Sequence, residues 1–399
     1  MSSLIVMLDG FRYDYLNRTS FLREIGRKGF CTRLETLLGY SSGIHASIWT
    51  GATQQTIGMW TKYKYGNDSS PSLFKKLFYA LPSGFARTIV VKAYQSRIRR
   101  DPNLMPGIPA KVANMFEPEG WLDDSMENYV KHFENTLSVP TLFDVFKNNG
   151  IRYFYLNIDK TQTAEMQSSA TRIHAKNLTT FLMISSLDHL GHRVGPFSPR
   201  IDEELKRVDH LLKNIVCNGD FEHVFIFSDH GMTQINKLVN VQKTLKKSGL
   251  VLARDYIAFH DATMSRFWIN DENVKSRITI ALNQNASGRI LSDRDLKKYT
   301  IEFKGNHRRK FGDLVFLANP GVNIFPNYFH CFFSSLIQGL HGYDPKHPSS
   351  YGIFIYNGPF KDRLRNDVTM SVIDIFPTIL NILHIPVPPS VEGSSAFRV

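Results

Sequence analysis

The sequence predicts an α/β fold in which a mostly parallel central sheet is flanked by helices, and three observations carry that prediction. Short, uninterrupted apolar runs, LIVML at 4–8, TFLMISS at 180–186 and HVFIF at 223–227, have the length and composition of strands buried on both faces. Between the last two, Ile201, Leu205, Val208, Leu212 and Ile215 recur at spacings of four and three, the apolar stripe of a helix lying on a sheet. Each run closes in polar, turn-forming residues, and strands that alternate with helices favour parallel pairing through crossovers.

In chain order, LIVML is a strand closed by the turn Asp9-Gly10. GIHASIWTG (43–51) predicts a short helix stopped by Gly51, with Ser41 and Ser42 just ahead of it. TLFDVFKNNG (141–150) is a helix with a glycine stop, and IRYFYLN (151–157) a strand. NLTTFLMISS (177–186) is a strand ending just before Asp188, and IDEELKRVDHLLKNIV (201–216) the helix that leads into HVFIF. Near the end, DIFPTILNILHI (374–385) places Pro377 where a first helical turn tolerates it, and PVPPSVEGSS follows as an irregular tail. Residues 63–138 and 235–335 break the rhythm. They are expected to be cap-like insertions in a single domain spanning 1–399, forming the substrate region.

Composition narrows the class. At 399 residues with 42% hydrophobic content, the chain can bury a sizeable core. No apolar run reaches the roughly 18–20 residues of a transmembrane helix. MSSLIVMLDG enters a strand at once, without a basic leader or cleavage site, and the expectation is a cytoplasmic protein. Cys31, Cys217 and Cys331 are too few and too scattered for a disulfide framework or a thiolate zinc site. The net charge of +12, spread through RIRR (97–100), KTLKKS (243–248) and HRRK (307–310), favours anionic partners. No zinc-finger, RNA-recognition or helix-turn-helix pattern accompanies it, so sequence-specific nucleic-acid readout is not expected. The sequence assigns no oligomeric state.

The polar residues at the strand ends are the chemical signal. Asp9 follows the first strand, and Asp188 and His192 sit in DHLGH after the strand at 177–186. Asp229 and His230 follow HVFIF in SDHGM, and His341 lies in LHGYDP after the second insertion. Three carboxylates and three imidazoles at the edge where open α/β sheets keep their sites form a donor set suited to zinc. Ser41 and Ser42 precede a helix whose positive end lowers the cost of an alkoxide and of a bound anion. A bare serine is a weak nucleophile that needs a base or a metal.

In this order the motifs LDG (8–10), SSGIHASIWTG (41–51), LDHLGHRVGP (187–196), SDHGM (228–232) and HGYDP (341–345) resemble the alkaline phosphatase superfamily, specifically its nucleotide pyrophosphatase/phosphodiesterase branch. The resemblance spans nearly the whole chain, including the closing helix and loop. It implies an alkaline-phosphatase-like fold and two zinc ions, or manganese or another divalent metal in their place. One ion would be held by Asp188, His192 and His341, the other by Asp9, Asp229, His230 and the oxygen of Ser41. Ser41 rather than Ser42 falls at the nucleophile position, counted back from the Thr-Gly anchor. The implied reaction is hydrolysis of phosphate esters, diesters or pyrophosphates foremost, through a covalent phosphoseryl intermediate.

The sequence departs from the branch at one informative place. Where its phosphodiesterases carry an Asn about twenty residues after the nucleophile, this chain has Lys62, a candidate substrate contact that would favour a more negative phosphoryl group. A phosphomonoesterase or a phosphonate hydrolase of the same superfamily is therefore the alternative enzyme. A sulfatase is disfavoured because Ser41-Ser42-Gly43-Ile44-His45 lacks the maturation signal, and a phosphoglycerate mutase because the stretch at 63–138 is small for its inserted domain. The alternative of a different class is a catalytically inactive protein that binds anionic ligands, although none of the ligand or nucleophile positions is missing.

Overall fold

The computed structural model of the chain describes residues 2–66, 73–82, 84–98, 104–118, 137–158, 178–284, 286–301, 310–330, 337–364 and 369–397. Arg99 and Arg100 of the first basic run, 307–309 of the third, Asn177 and Cys331 lie outside them. The strands are β1 (Ser3–Leu8), β2 (Phe30–Glu35), β3 (Tyr63–Tyr65), β4 (Phe116–Pro118), β5 (Tyr153–Ile158) and β6 (Thr179–Ile184). Then come β7 (His223–Phe227), β8 (Thr233–Gln234), β9 (Lys237–Val239), β10 (Ile257–His260), β11 (Met264–Trp268) and β12 (Gly288–Ile290). The last are β13 (Leu314–Ala318), β14 (Val322–Ile324), β15 (Gly339–Leu340), β16 (Gly352–Asn357) and β17 (Met370–Ser371).

Seven strands form the central sheet in the order β17-β2-β16-β7-β1-β6-β5. β7, β1, β6 and β5 run parallel, as does β17 with β2. β16 runs antiparallel to both β2 and β7, so the predicted parallel sheet carries one reversed strand. Alternation along the strands explains why the sheet needs helices on both faces. Ile5 and Met7, Phe181 and Met183, and Phe225 and Phe227 enter one core, with the helices Ser41–Thr50, Leu142–Asn148 and Ile375–Ile382. Leu4, Val6, Leu8, Leu182, Ile184, Val224 and Ile226 enter the other, with Ser20–Lys28, Ser186–Val194 and Pro199–Asn218. Neighbouring residues of a strand point to opposite faces, so these unbroken apolar runs supply two cores at once.

The helix Ser41–Thr50 begins two residues earlier than the sequence predicts, because Tyr40 is already extended and takes the N-cap position. Both serines thus belong to the first turn. The helix ends as predicted, at Gly51 with φ 64°. It is buried on every side except at Ser41, and Trp49 is wedged among Phe143, Phe181 and Phe227 at ring distances of 5.1–6.0 Å. The first expected insertion contributes the antiparallel pair β3–β4 and, between its strands, the helices Leu73–Ala80 and Phe85–Ile98. The second contributes the antiparallel sheet β10-β11-β13-β12, with its own core around Phe267, Phe316 and Leu282. Among the described residues no helix is long and apolar enough to cross a membrane.

Candidate active site

The parallel arrangement of β1, β6 and β7 sends three polypeptide turns out of the same sheet edge. Asp9 follows β1, Asp188 lies in the first turn of the helix after β6, and Asp229-His230 follow β7. His192 is four residues beyond Asp188 on that helix and therefore on the same face. His341 is delivered from the other side, immediately after β15. Gly10, at φ +72°, makes the close approach possible: a Cβ there would sit 3.1 Å from Asp188 Cα and Cβ. Its N–H donates to Asp229 Oδ1 at 3.2 Å. The Asp-Gly turn thus draws three carboxylates together, and its glycine is required by both conformation and space.

The side chains converge. His230 Nε2 lies 3.1 Å from Asp229 Oδ2, 3.5 Å from Asp9 Oδ1 and 3.1 Å from Ser41 Oγ. His192 Nε2 and His341 Nε2 lie 3.4 and 3.8 Å from Asp188 Oδ1. The rings of His230 and His341 stack at 3.7 Å. Hydrogen bonds fix how two of the imidazoles present themselves: His192 Nδ1 donates to Gly339 O at 2.8 Å and His230 Nδ1 to Gly231 O at 2.9 Å. Each therefore turns its Nε2 lone pair inward, as the imidazole ligands of a metal site do.

Charge accounts for the protonation states. Burial opposes ionisation of Asp188, but the imidazoles of His192, His341 and His230 outweigh it and hold the carboxyl well below the usual range. Burial acts on Asp229 the same way, and His230 and His45 bring it down to about 2. Burial disfavours the imidazolium at His192, yet the Asp188 carboxylate raises it overall. At His341, burial and the stacked His230 ring push it far below its usual value. Ionised carboxylates and a neutral His341 are the states that metal coordination requires.

The donor set fits one or more divalent cations. Among the described residues, three groups of ligand atoms each lie within 4.8 Å of one another: Asp188, His192 and His341; Asp9, Asp188 and His230; and Asp9, His45 and Asp229. Asp188 Oδ1 is buried without a hydrogen-bond partner, an expensive arrangement unless a cation takes up its lone pair. All six predicted Asp and His residues are brought together, with Ser41 beside them. Asp188 reaches both halves of the cluster rather than one.

His45 was not among the predicted ligands. Its Nε2 lies 2.9 Å from Asp229 Oδ2, and both side chains are fully buried. The signal was a lone histidine in an apolar helix, four residues after Ser41 and so on the same face. Lys62 is half-buried just before β3, at the root of the first insertion. Tyr40, next to Ser41, sets its ring edge-on to His341 at 6.0 Å. Burial and the nearby Asp261 hold its phenol well above the usual value, and it stays protonated.

A profile of the family described as type I phosphodiesterase / nucleotide pyrophosphatase matches residues 3–344. Over 97% of its length the chain is 22% identical to bis(5'-adenosyl)-triphosphatase ENPP4 of Pongo abelii, of which it covers 79%. The identity and coverage are the same for ENPP4 of Homo sapiens. Among solved structures, an inactive form of murine ectonucleotide pyrophosphatase / phosphodiesterase 5 in complex with AMP superposes with a TM-score of 0.64 at 17% identity. The match covers 98% of this chain and 97% of that one, and it establishes a common fold.

Proposed function

The chain belongs to the type I phosphodiesterase / nucleotide pyrophosphatase family, hydrolases of phosphodiester and pyrophosphate bonds, and from that premise we propose that it cleaves a nucleotide-type diester or pyrophosphate by attack of Ser41 on phosphorus. The observation that carries the proposal is the position of Ser41 Oγ, at a helix N-terminus and 3.1 Å from the inward-facing Nε2 of His230. The nucleotide class is supported by the ENPP4 relatives, named as bis(5'-adenosyl)-triphosphatases, and by the AMP complex of the murine neighbour.

Asp188, His192 and His341 would hold one divalent ion, with Asp9, Asp229, His230 and Ser41 around the second. Zinc is the ion that this carboxylate-imidazole donor set suits best. When bound, such a pair of cations lowers the pKa of a hydroxyl and offsets the charge that develops on the attacking and leaving oxygens. Ser41 supplies the nucleophile: its Oγ–P bond forms as the bond from phosphorus to the leaving oxygen breaks. The phosphoryl group, still carrying its other substituent, is then attached to Ser41 until water attacks phosphorus and regenerates the hydroxyl. His45 and Gly10 orient Asp229. The N-terminus of the helix Ser41–Thr50 favours the anionic phosphoryl oxygens. Lys62 is proposed to contact the phosphoryl group and to set how much negative charge the site accepts.

The test compares zinc-loaded protein on bis(p-nitrophenyl) phosphate and on p-nitrophenyl phosphate, with Ser41→Ala as control. The proposal predicts faster turnover of the diester and a loss of roughly 10³-fold or more in Ser41→Ala. A monoester preference that reverses in Lys62→Asn would move the assignment to a phosphomonoesterase. Full activity in Ser41→Ala would contradict the nucleophile.

A further inference from the structure

The second insertion touches the catalytic machinery through one buried hydroxyl. Thr263 lies in the turn between β10 and β11 and is fully buried. Its Oγ1 is 2.9 Å from the Tyr40 hydroxyl and 3.1 Å from Gly342 O, and its N–H donates to the Tyr40 oxygen at 3.1 Å. Tyr40 is the N-cap of the helix that opens with Ser41, and Gly342 follows His341 directly.

Donor counting leaves one arrangement. A carbonyl only accepts, so the Thr263 hydroxyl proton goes to Gly342 O. The Tyr40 hydroxyl must then donate to Thr263 Oγ1 while its oxygen receives the Thr263 N–H. Three segments far apart in sequence are joined by three bonds whose directions are all fixed.

The hub itself is rigid. Ala318 N–H donates to Thr263 O at 2.9 Å, Ile324 N–H to Ala262 O at 2.7 Å, and Asp261 N–H to Met264 O at 2.8 Å. The turn is therefore pinned to β13, to β14 and across itself. Gly342 is at φ +86°, and a Cβ there would come within 3.0 Å of both Gly39 O and Thr263 Oγ1. Any side chain at Gly342 would therefore meet the main chain of the loop that leads to Ser41, with Thr263 packed into the junction.

We propose that Thr263 is a positioning residue: its hydroxyl locks the Ser41-bearing turn and the His341-bearing loop to the cap sheet and so sets the separation of nucleophile and metal ligand. The inference rests on the assignments of Ser41 and His341 made above. It gives the second insertion a catalytic duty beyond enclosing substrate, since small displacements of reacting groups cost up to about 10²-fold in rate.

The experiment uses the full-length zinc-loaded protein, with bis(p-nitrophenyl) phosphate as substrate and zinc retention read against a chromogenic chelator. Thr263→Val, which keeps shape and loses the hydroxyl, is expected to lower kcat by about 10- to 100-fold with KM within about threefold. It should also weaken retention of one zinc equivalent by about 10-fold, the usual consequence of loosening a ligand's support. Thr263→Ser should restore both. Tyr40→Phe removes the same network from its other end and should act alike, and the double variant should be little worse than either single one. If Thr263→Val has wild-type kcat and zinc retention, or if Thr263→Ser is as impaired as Thr263→Val, the inference fails. Ser41→Ala in parallel separates the two claims: an inactive Ser41→Ala beside an unaffected Thr263→Val overturns the positioning role alone, and an active Ser41→Ala overturns the assignment on which it rests.

Discussion

Asp261, two residues from the Thr263 hub, is a buried carboxyl whose burial pushes it up to about 7, against the pull of Arg266. Its Oδ2 is 4.0 Å from the Arg266 guanidinium and has no hydrogen-bond partner. In the unfolded chain it ionises near 3.8. Between these two values the folded protein keeps a proton that the unfolded chain has lost, so the stability it contributes is full below about pH 4 and is lost as pH rises through about 7. Asp261→Asn stays neutral throughout. Its unfolding free energy relative to wild type should rise by about 1–4 kcal/mol between pH 4 and 8, and parallel denaturant-midpoint curves for the two proteins would contradict this. The residues that the structure gathers at the sheet edge were legible as residue types. Asp9, Asp188, His192, Asp229, His230 and His341 stand at strand ends or one helical turn beyond, where a linear reading can find them. His45 was harder to see, because its role depends on the helix rotating it onto Asp229.

At the scale of elements, the junction between β1 and the helix Ser186–Val194 is the point where backbone geometry and chemistry meet. Gly10→Ala would place a Cβ 3.1 Å from Asp188 Cα and Cβ at a φ of +72°. We expect a loss of about 1–3 kcal/mol of stability together with weaker zinc retention, because the strand end and the Asp188 helix must separate. A variant with unchanged denaturation midpoint and metal affinity would show that the close approach is dispensable. Core elements such as β1, β6, β7 and the helix Pro199–Asn218 were readable because fully buried strands need unbroken apolar runs and surface-packed helices need a stripe. The strand β16 was missed altogether, and its reversed direction could not have been read, since an apolar run such as GIFIYN reads the same in either direction. The early start of the helix at Ser41 escaped too: serine serves equally as cap or first-turn residue, and only the extended Tyr40 decides.

Across the whole molecule, a two-layered core holds three carboxylates and three histidines at one sheet edge, and a second sheet, β10-β11-β13-β12, reaches over to the turn that carries Ser41. How the described parts of residues 63–138 and 235–335 fold was not readable, because contacts such as Tyr40–Thr263 link residues more than two hundred positions apart. The carboxylates of Asp9 and Asp188, and of Asp9 and Asp229, whose ligand atoms lie within 4.8 Å of one another, carry like charges that a cation would offset, so removing metal should lower the melting temperature as well as abolish activity. Equal melting temperatures for chelator-stripped and zinc-loaded protein would argue against a resident ion. The central claim is that Ser41 attacks phosphorus within this cluster. The most direct test is to quench zinc-loaded protein with acid during turnover of a dinucleoside polyphosphate and to map the modified peptide by mass spectrometry. The account predicts a nucleotidyl group on Ser41, absent from Ser41→Ala. Turnover at the full rate in Ser41→Ala, with no adduct on any residue of the wild type, would contradict it.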